Sequence, residues 1–168
     1  MKEWFGLVAR LVTGGVWLVA GVLKVPDPAS SVRAVRAFRL LPETVVPTVG
    51  HVLPVLEIVV GLALVLGFLT RGFGAVSALL QGAFIIGISS AWARGLEIRC
   101  GCFGNGGADP NASAHYPWDI ARDVGLLLLS LWLAVRPRTR LALDSVIFRP
   151  LTQPERLDDV PEQAPVHH

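Results

Sequence analysis

Apolar residues in this chain gather into four long blocks separated by polar, proline-bearing or arginine-bearing stretches. The blocks run from Trp4 to Leu23, Thr48 to Leu69, Phe73 to Ala93 and Pro117 to Val135, each within the roughly 17 to 25 residues that cross a bilayer as a helix. They predict four membrane spans. Between the first two, Pro28 to Leu41 sets Val32, Val35, Phe38 and Leu41 at helical spacing beside Arg33, Arg36 and Arg39, the pattern of a short helix lying in the interface with arginines toward headgroups. The expected fold is all-α: an integral membrane four-helix bundle over residues 1–136, with that short interfacial helix between spans one and two. After Val135 the chain turns polar and proline-rich, and residues 137–168 are expected to form a flexible tail. The first block is read as an uncleaved span, because its apolar stretch is long and no small-residue cleavage site precedes Lys24.

Composition agrees with this layout. Of the 168 residues, 52% are hydrophobic and 17% charged, and the mean hydropathy is +0.56, too apolar for an ordinary soluble domain. The formal net charge is +2, with basic residues scattered over loops and tail, which leaves no electrostatic footprint for nucleic acid. Four spans place both termini on one side of the membrane. Lys2, Arg71, Arg136, Arg138 and Arg140 flank that side, against Lys24, Arg33, Arg36, Arg39, Arg94 and Arg99 on the other, a near-even division. The cluster after the last span favours cytoplasmic termini in a bacterial cell membrane. The loop between spans three and four then faces outward, where an oxidised cysteine pair persists.

That loop carries the chain's two cysteines, in the run Arg99-Cys100-Gly101-Cys102-Phe103-Gly104. Residues separated by one other reach the Cα spacing of a disulfide, about 4.4 to 6.8 Å, only in a tight turn, and Gly101 supplies the freedom for one. A ring so small is strained, and strained, exposed disulfides are the labile ones. The pair reads as an exchange site. Arg99 beside it, and the positive end of a helix starting near Pro117, both favour a thiolate. Two other readings of the pair stand beside this one: a tie for the loop with no redox role, or a site with His115 for a soft ion such as Cu(I). The zinc pattern fits poorly, because the ligands are too few and too closely spaced.

Ionisable groups inside the apolar blocks are costly and mark functional sites by default. Arg10 lies within span one on the face of Gly14 and Gly21, and Glu57 within span two on the face of Gly50 and Gly61, small residues that let helices approach closely. An Arg10–Glu57 ion pair is expected. Arg122 and Asp123 enter span four, and His51 enters span two, from the cysteine side, so they are candidates to line a pocket beneath the loop. His51, Glu57 or Asp123 can carry the proton that thiol oxidation releases, although a solvated interfacial His51 is the simpler reading. Gln81, Ser89 and Ser90 add polar groups to span three without specificity. Trp4, Trp92 and Trp118 near span ends suit an aromatic belt.

Taken in order, Arg10, Gly21 with Lys24, the run Arg39-Leu40-Leu41-Pro42, Glu57 with Gly61, Cys100-Gly101-Cys102-Phe103-Gly104 and Arg122-Asp123 resemble the MauE family, within the wider group of DoxX-like four-helix membrane proteins. The resemblance covers about residues 5 to 135. It implies a role in methylamine utilisation, where MauE proteins help mature methylamine dehydrogenase with its disulfide-rich small subunit. It also implies extracytoplasmic thiol–disulfide exchange with a thioredoxin-like or disulfide-containing partner; Cys100 and Cys102 are the candidate exchange residues, and Arg10, Lys24, His51, Glu57, Arg99, Arg122 and Asp123 are the supporting candidates. The layout is similar to the quinone-linked DsbB and VKOR enzymes, which implies a membrane quinone as acceptor. Those enzymes use a second, shuttle pair of cysteines; this chain has only two cysteines. Outside the redox class, the same layout suits a non-catalytic membrane assembly factor that docks a partner through the loop and interfacial helix, or a copper or small-molecule carrier.

Overall fold

The computed structural model describes residues 2–99, 101 and 107–136. Within them five helices form in chain order: α1 Lys2–Lys24, α2 Pro28–Ala37, α3 Val46–Leu66, α4 Thr70–Ala93 and α5 Ala112–Val135. Trp4–Lys24, Val46–Leu66 and Thr70–Ala93 are each long and apolar enough to cross a membrane. α5 has the same length as α4, at 24 residues, and differs in carrying Asp119, Arg122 and Asp123 in its first half. The tail expected over 137–168 lies outside the described residues.

Element boundaries follow local chemistry. α2 starts where Asp27 accepts a hydrogen bond from the Ser30 N–H at 3.1 Å, with Pro28 in the first turn, where a missing N–H costs nothing. It stops at Ala37, short of the expected Leu41, because Arg39 takes a positive φ of 49° and turns the chain toward α3. α5 begins at Ala112, five residues before the expected start, because Pro117 fits within its opening turns. A two-stranded antiparallel ladder, β1 Ile98–Arg99 and β2 Gly107–Ala108, was not anticipated; it pairs Ile98 with Ala108 and Arg99 with Gly107.

The long helices pack in a ring, α1 against α3 and α5, and α4 against α5 and α3, with α2 laid across α3. The α1–α3 crossing is set by small residues. A Cβ on Gly61 would lie 2.8 Å from the Leu18 backbone nitrogen and 2.9 Å from the Gly14 carbonyl oxygen, so the two backbones touch there. α2 seats as closely, since a Cβ on Gly50 would fall 2.6 Å from the Val32 Cα.

Burial is inverted relative to a soluble protein. Thr13, Ser77, Ser130, Glu57, Gln81 and Lys24 are at most 3% exposed, while Val55, Leu79, Ile86 and Leu128 are 61–76% exposed. Apolar side chains on the outside and polar ones within are what a hydrocarbon solvent selects. Hydrogen bonds join the helices from inside: Trp17 Nε1 donates to Ser77 Oγ at 2.7 Å, and Ser77 Oγ lies 2.8 Å from Ser130 Oγ, tying α1, α4 and α5. Ala9, Trp17, Val60, Leu64 and Leu133 form one apolar cluster. A second, of Ile88, Ala91, Ile98, Ala112 and Tyr116, sits under the β-ladder. Trp4, Trp92 and Trp118 are exposed, at 57%, 48% and 73%.

Gly61→Val should drive apart backbones already in contact and destabilise the protein by about 1 to 3 kcal/mol, the cost of overpacking. Gly82→Ala, where nothing lies within 4 Å of the new Cβ, should leave the thermal midpoint in lipid nanodiscs unchanged or raised.

Candidate functional site

The base of the cysteine loop is braced on three sides. Arg99 Nε and Nη2 donate to Asp109 Oδ2 at 3.0 and 2.8 Å, while Asp109 Oδ1 accepts from the Asn111 N–H at 3.0 Å. The buried Tyr116 hydroxyl accepts from the Ile98 N–H at 3.1 Å and lies 2.6 Å from the Leu96 carbonyl oxygen. The Arg99 guanidinium and then the Asn111 N–H hold the Asp109 carboxyl below its ordinary value. Arg99, expected to stabilise a thiolate, makes these contacts with Asp109. Neither Asp109 nor Tyr116 stood out in the sequence, where a lone acid in a loop and a tyrosine in a helix carry no distinguishing spacing. Cys100 and Cys102 lie outside the described residues. Gly101, bonded to both, is buried with φ 70°, a conformation that favours glycine.

Glu57 pairs with Lys24, correcting the expected Arg10–Glu57 pair. Lys24 Nζ stands 2.5 Å from Glu57 Oε1, with side chains 4% and 0% exposed, and 6.0 Å from the centroid of the Phe84 ring. The reason is register. α1 and α3 run antiparallel, Gly14 against Gly61 and Gly21 against Pro54 and Ile58. This sets Arg10 opposite Val65, whose carbonyl oxygen lies 3.4 Å from Arg10 Nη2. Eight residues separate Val65 from Glu57, about 12 Å of helix, beyond the reach of Arg10. Lys24, at the other end of α1, extends along α3 to meet the carboxylate.

The pair touches two cavities. On one side, Glu57 borders a void of about 20 Å³ shared with Trp17, Gln81, Phe84, Arg122 and Asp123, enough for one water molecule. Arg122 holds Asp123 Oδ1 at 2.9 Å and Asp119 at 3.2 Å. Glu57 Oε2 and Asp123 Oδ2 are buried without a hydrogen-bond partner among the described residues. On the other side, Lys24 borders a cavity of about 320 Å³ between α2, α3 and α4, lined also by Phe38, Leu53, Leu80, Phe84 and Gly101.

Lys24, Glu57, Arg122 and Asp123 therefore converge, and Gln81, unremarkable in the sequence, joins them. His51 and His115 do not. His51 is exposed, with Nδ1 2.7 Å from the Pro47 carbonyl oxygen of its own helix, and His115 is exposed on α5. Arg10 belongs to the opposite end of α1.

A helical protein with apolar surfaces outward, three helices able to span a bilayer and charged groups paired inside is an integral membrane protein. Residues 2–136 match the family described as methylamine utilisation protein MauE, and the chain belongs to that family. No curated protein and no solved structure matches the chain.

Lys24→Met should strand the Glu57 carboxyl without its partner in the interior, destabilising the protein by up to about 3 to 5 kcal/mol. The double variant Lys24→Met/Glu57→Leu should recover most of that loss in a double-mutant cycle of thermal unfolding. At the loop, a depressed Asp109 contributes stability above the usual carboxylate value, lost as pH falls through its lowered one. Relative to its intrinsic rate at each pH, amide hydrogen exchange at Ile98 and Ala112 should thus stay slow at neutral and mildly acidic pH and quicken below about pH 4. Asp109→Asn should quicken it at pH 7.

Proposed function

We propose that this protein is a membrane thiol–disulfide oxidoreductase that serves methylamine utilisation by forming disulfides in a partner protein outside the cytosol. The observation that carries this reading is the position of Gly101. The residue bonded to both cysteines is buried in a left-handed turn and lines an apolar cavity that Lys24, the partner of Glu57, also lines. Membership of the MauE family supplies the physiological setting.

In this reading α5 is a fourth span, its charged first half turned inward through Arg122 and Asp123. Both termini then face the cytoplasm. The β-ladder and α2 lie on the outer side, with Arg33 and Arg36, exposed and paired to Asp27 and Glu43, toward headgroups. Exchange proceeds in two steps. A partner thiolate attacks one sulfur of the Cys100–Cys102 disulfide, breaking that S–S bond and forming a mixed disulfide. The partner's second thiolate then attacks the mixed disulfide, leaving the partner oxidised and the pair as a dithiol. The bracing of Arg99 by Asp109 and of Ile98 by Tyr116 holds the base of the loop while bonds within it are exchanged.

A second reading, a non-catalytic assembly factor, draws on the open groove lined by Arg33, Arg36, Arg39 and Glu43, a surface able to seat a partner without redox chemistry. One variant separates the two. Cys100→Ser/Cys102→Ser should insert and fold as the parent does, yet leave the partner's cysteines reactive to maleimide in a cell-based maturation assay. A partner that acquires all its disulfides beside this variant would reject the oxidoreductase reading and leave the assembly factor.

A further inference from the structure

An exchange pair that oxidises partners must itself be reoxidised, and this chain has no other cysteine to receive its electrons. The acceptor has to reach the pair from outside the chain. The cavity of about 320 Å³ beside Gly101 lies in the size range of small-molecule sites, about 300 to 1,000 Å³, which are mostly apolar with a few placed polar groups. Its walls are aliphatic and aromatic, with Phe38 and Phe84 among them, and the charged group on its lining is Lys24.

An ammonium has three donors, and the contact with Glu57 Oε1 takes one. A donor on the lining of an apolar cavity selects a ligand that is hydrophobic over most of its surface and carries an acceptor oxygen at one end. An acyl chain offers no such oxygen along its length, and a phosphate headgroup does not suit aromatic walls. Gly101 on the lining, bonded to both cysteines, adds that the ligand accepts two electrons. These requirements meet in a quinone.

Resting on the oxidoreductase reading above, we infer that the α2–α3–α4 cavity is a quinone site, with Lys24 donating to a ring carbonyl and Phe38 and Phe84 flanking the ring. The reaction balances as one dithiol plus one quinone giving one disulfide plus one quinol. Two S–H bonds break and one S–S bond forms, while two electrons and two protons pass to the ring, whose two carbonyl oxygens become hydroxyls. Glu57, held against Lys24, fixes the position of the ammonium.

The test uses the full chain in nanodiscs and a photoreactive azido-benzoquinone with a decyl tail, with labelled peptides mapped by mass spectrometry. Label is expected in the segments containing Phe38 and Phe84, displaced by decylubiquinone and not by oleate. Ala83 lines the cavity and is exposed, so Ala83→Phe enters the slot without entering a packed core. It should cut both labelling and quinone-driven oxidation of Cys100 and Cys102 at least tenfold. Lys24→Met/Glu57→Leu, which removes the donor without stranding a charge, should weaken labelling while the thermal midpoint holds. Label confined to the outer faces of the helices, displacement by oleate, or labelling and oxidation undiminished in Ala83→Phe would overturn the site. The underlying reading fails separately: cavity label that persists while the cysteines ignore the quinone upholds the binding site and refutes thiol exchange.

Discussion

An ammonium and a carboxylate with almost no solvent contact, Lys24 and Glu57, organise the interior of this protein. Neither charge is tolerable there alone, since an isolated ion in a low-dielectric interior costs several kcal/mol even after relaxation. Their meeting constrains everything around them. Lys24 closes α1 and Glu57 lies in the middle of α3, so the contact requires the two helices antiparallel, close, and in one register. The Gly14–Gly61 contact supplies that closeness. The same pair faces both cavities: Lys24 borders the lipophilic cavity that Gly101 also lines, and Glu57 borders the water-sized void with Arg122 and Asp123. A single interaction thus couples helix register to the chemistry of the site.

The rest of the interior follows the same logic. Hydrocarbon outside removes the usual drive to bury leucine and valine, so the helices associate through small residues and internal hydrogen bonds. The Trp17–Ser77–Ser130 chain and the Gly50 seat for Val32 are of this kind. Each polar group that is drawn inside becomes available to a site, which is how Gln81 comes to line the void with Glu57 and Asp123.

Much of this was legible in the sequence. Apolar run length located α1, α3 and α4, and helical spacing located α2, because both are local properties. The intramembrane charges announced themselves by their cost, and so did the Gly61 crossing by its small residue. The partner of Glu57 was misread, because pairing depends on the register of two helices far apart in sequence, and either Arg10 or Lys24 satisfies a rule that asks only for a nearby cation. Length separates them: a lysine at a helix end reaches one turn along its neighbour, and an arginine two turns away on the wrong side does not. Asp109 and Tyr116 were invisible for a related reason. Their roles arise from the β-ladder, two residues per strand, too short for any periodic signal.

The central proposal is that Cys100 and Cys102 cycle between dithiol and disulfide, with Gly101, bonded to both, on the lining of a lipophilic cavity. Its most direct measurement is the redox state of the two cysteines in intact membranes, by maleimide trapping and gel shift, with quinone present and after its depletion. The account predicts a predominantly oxidised pair in quinone-replete membranes that becomes reduced on depletion and reoxidises when quinone is restored. A pair that stays reduced under all three conditions would contradict it.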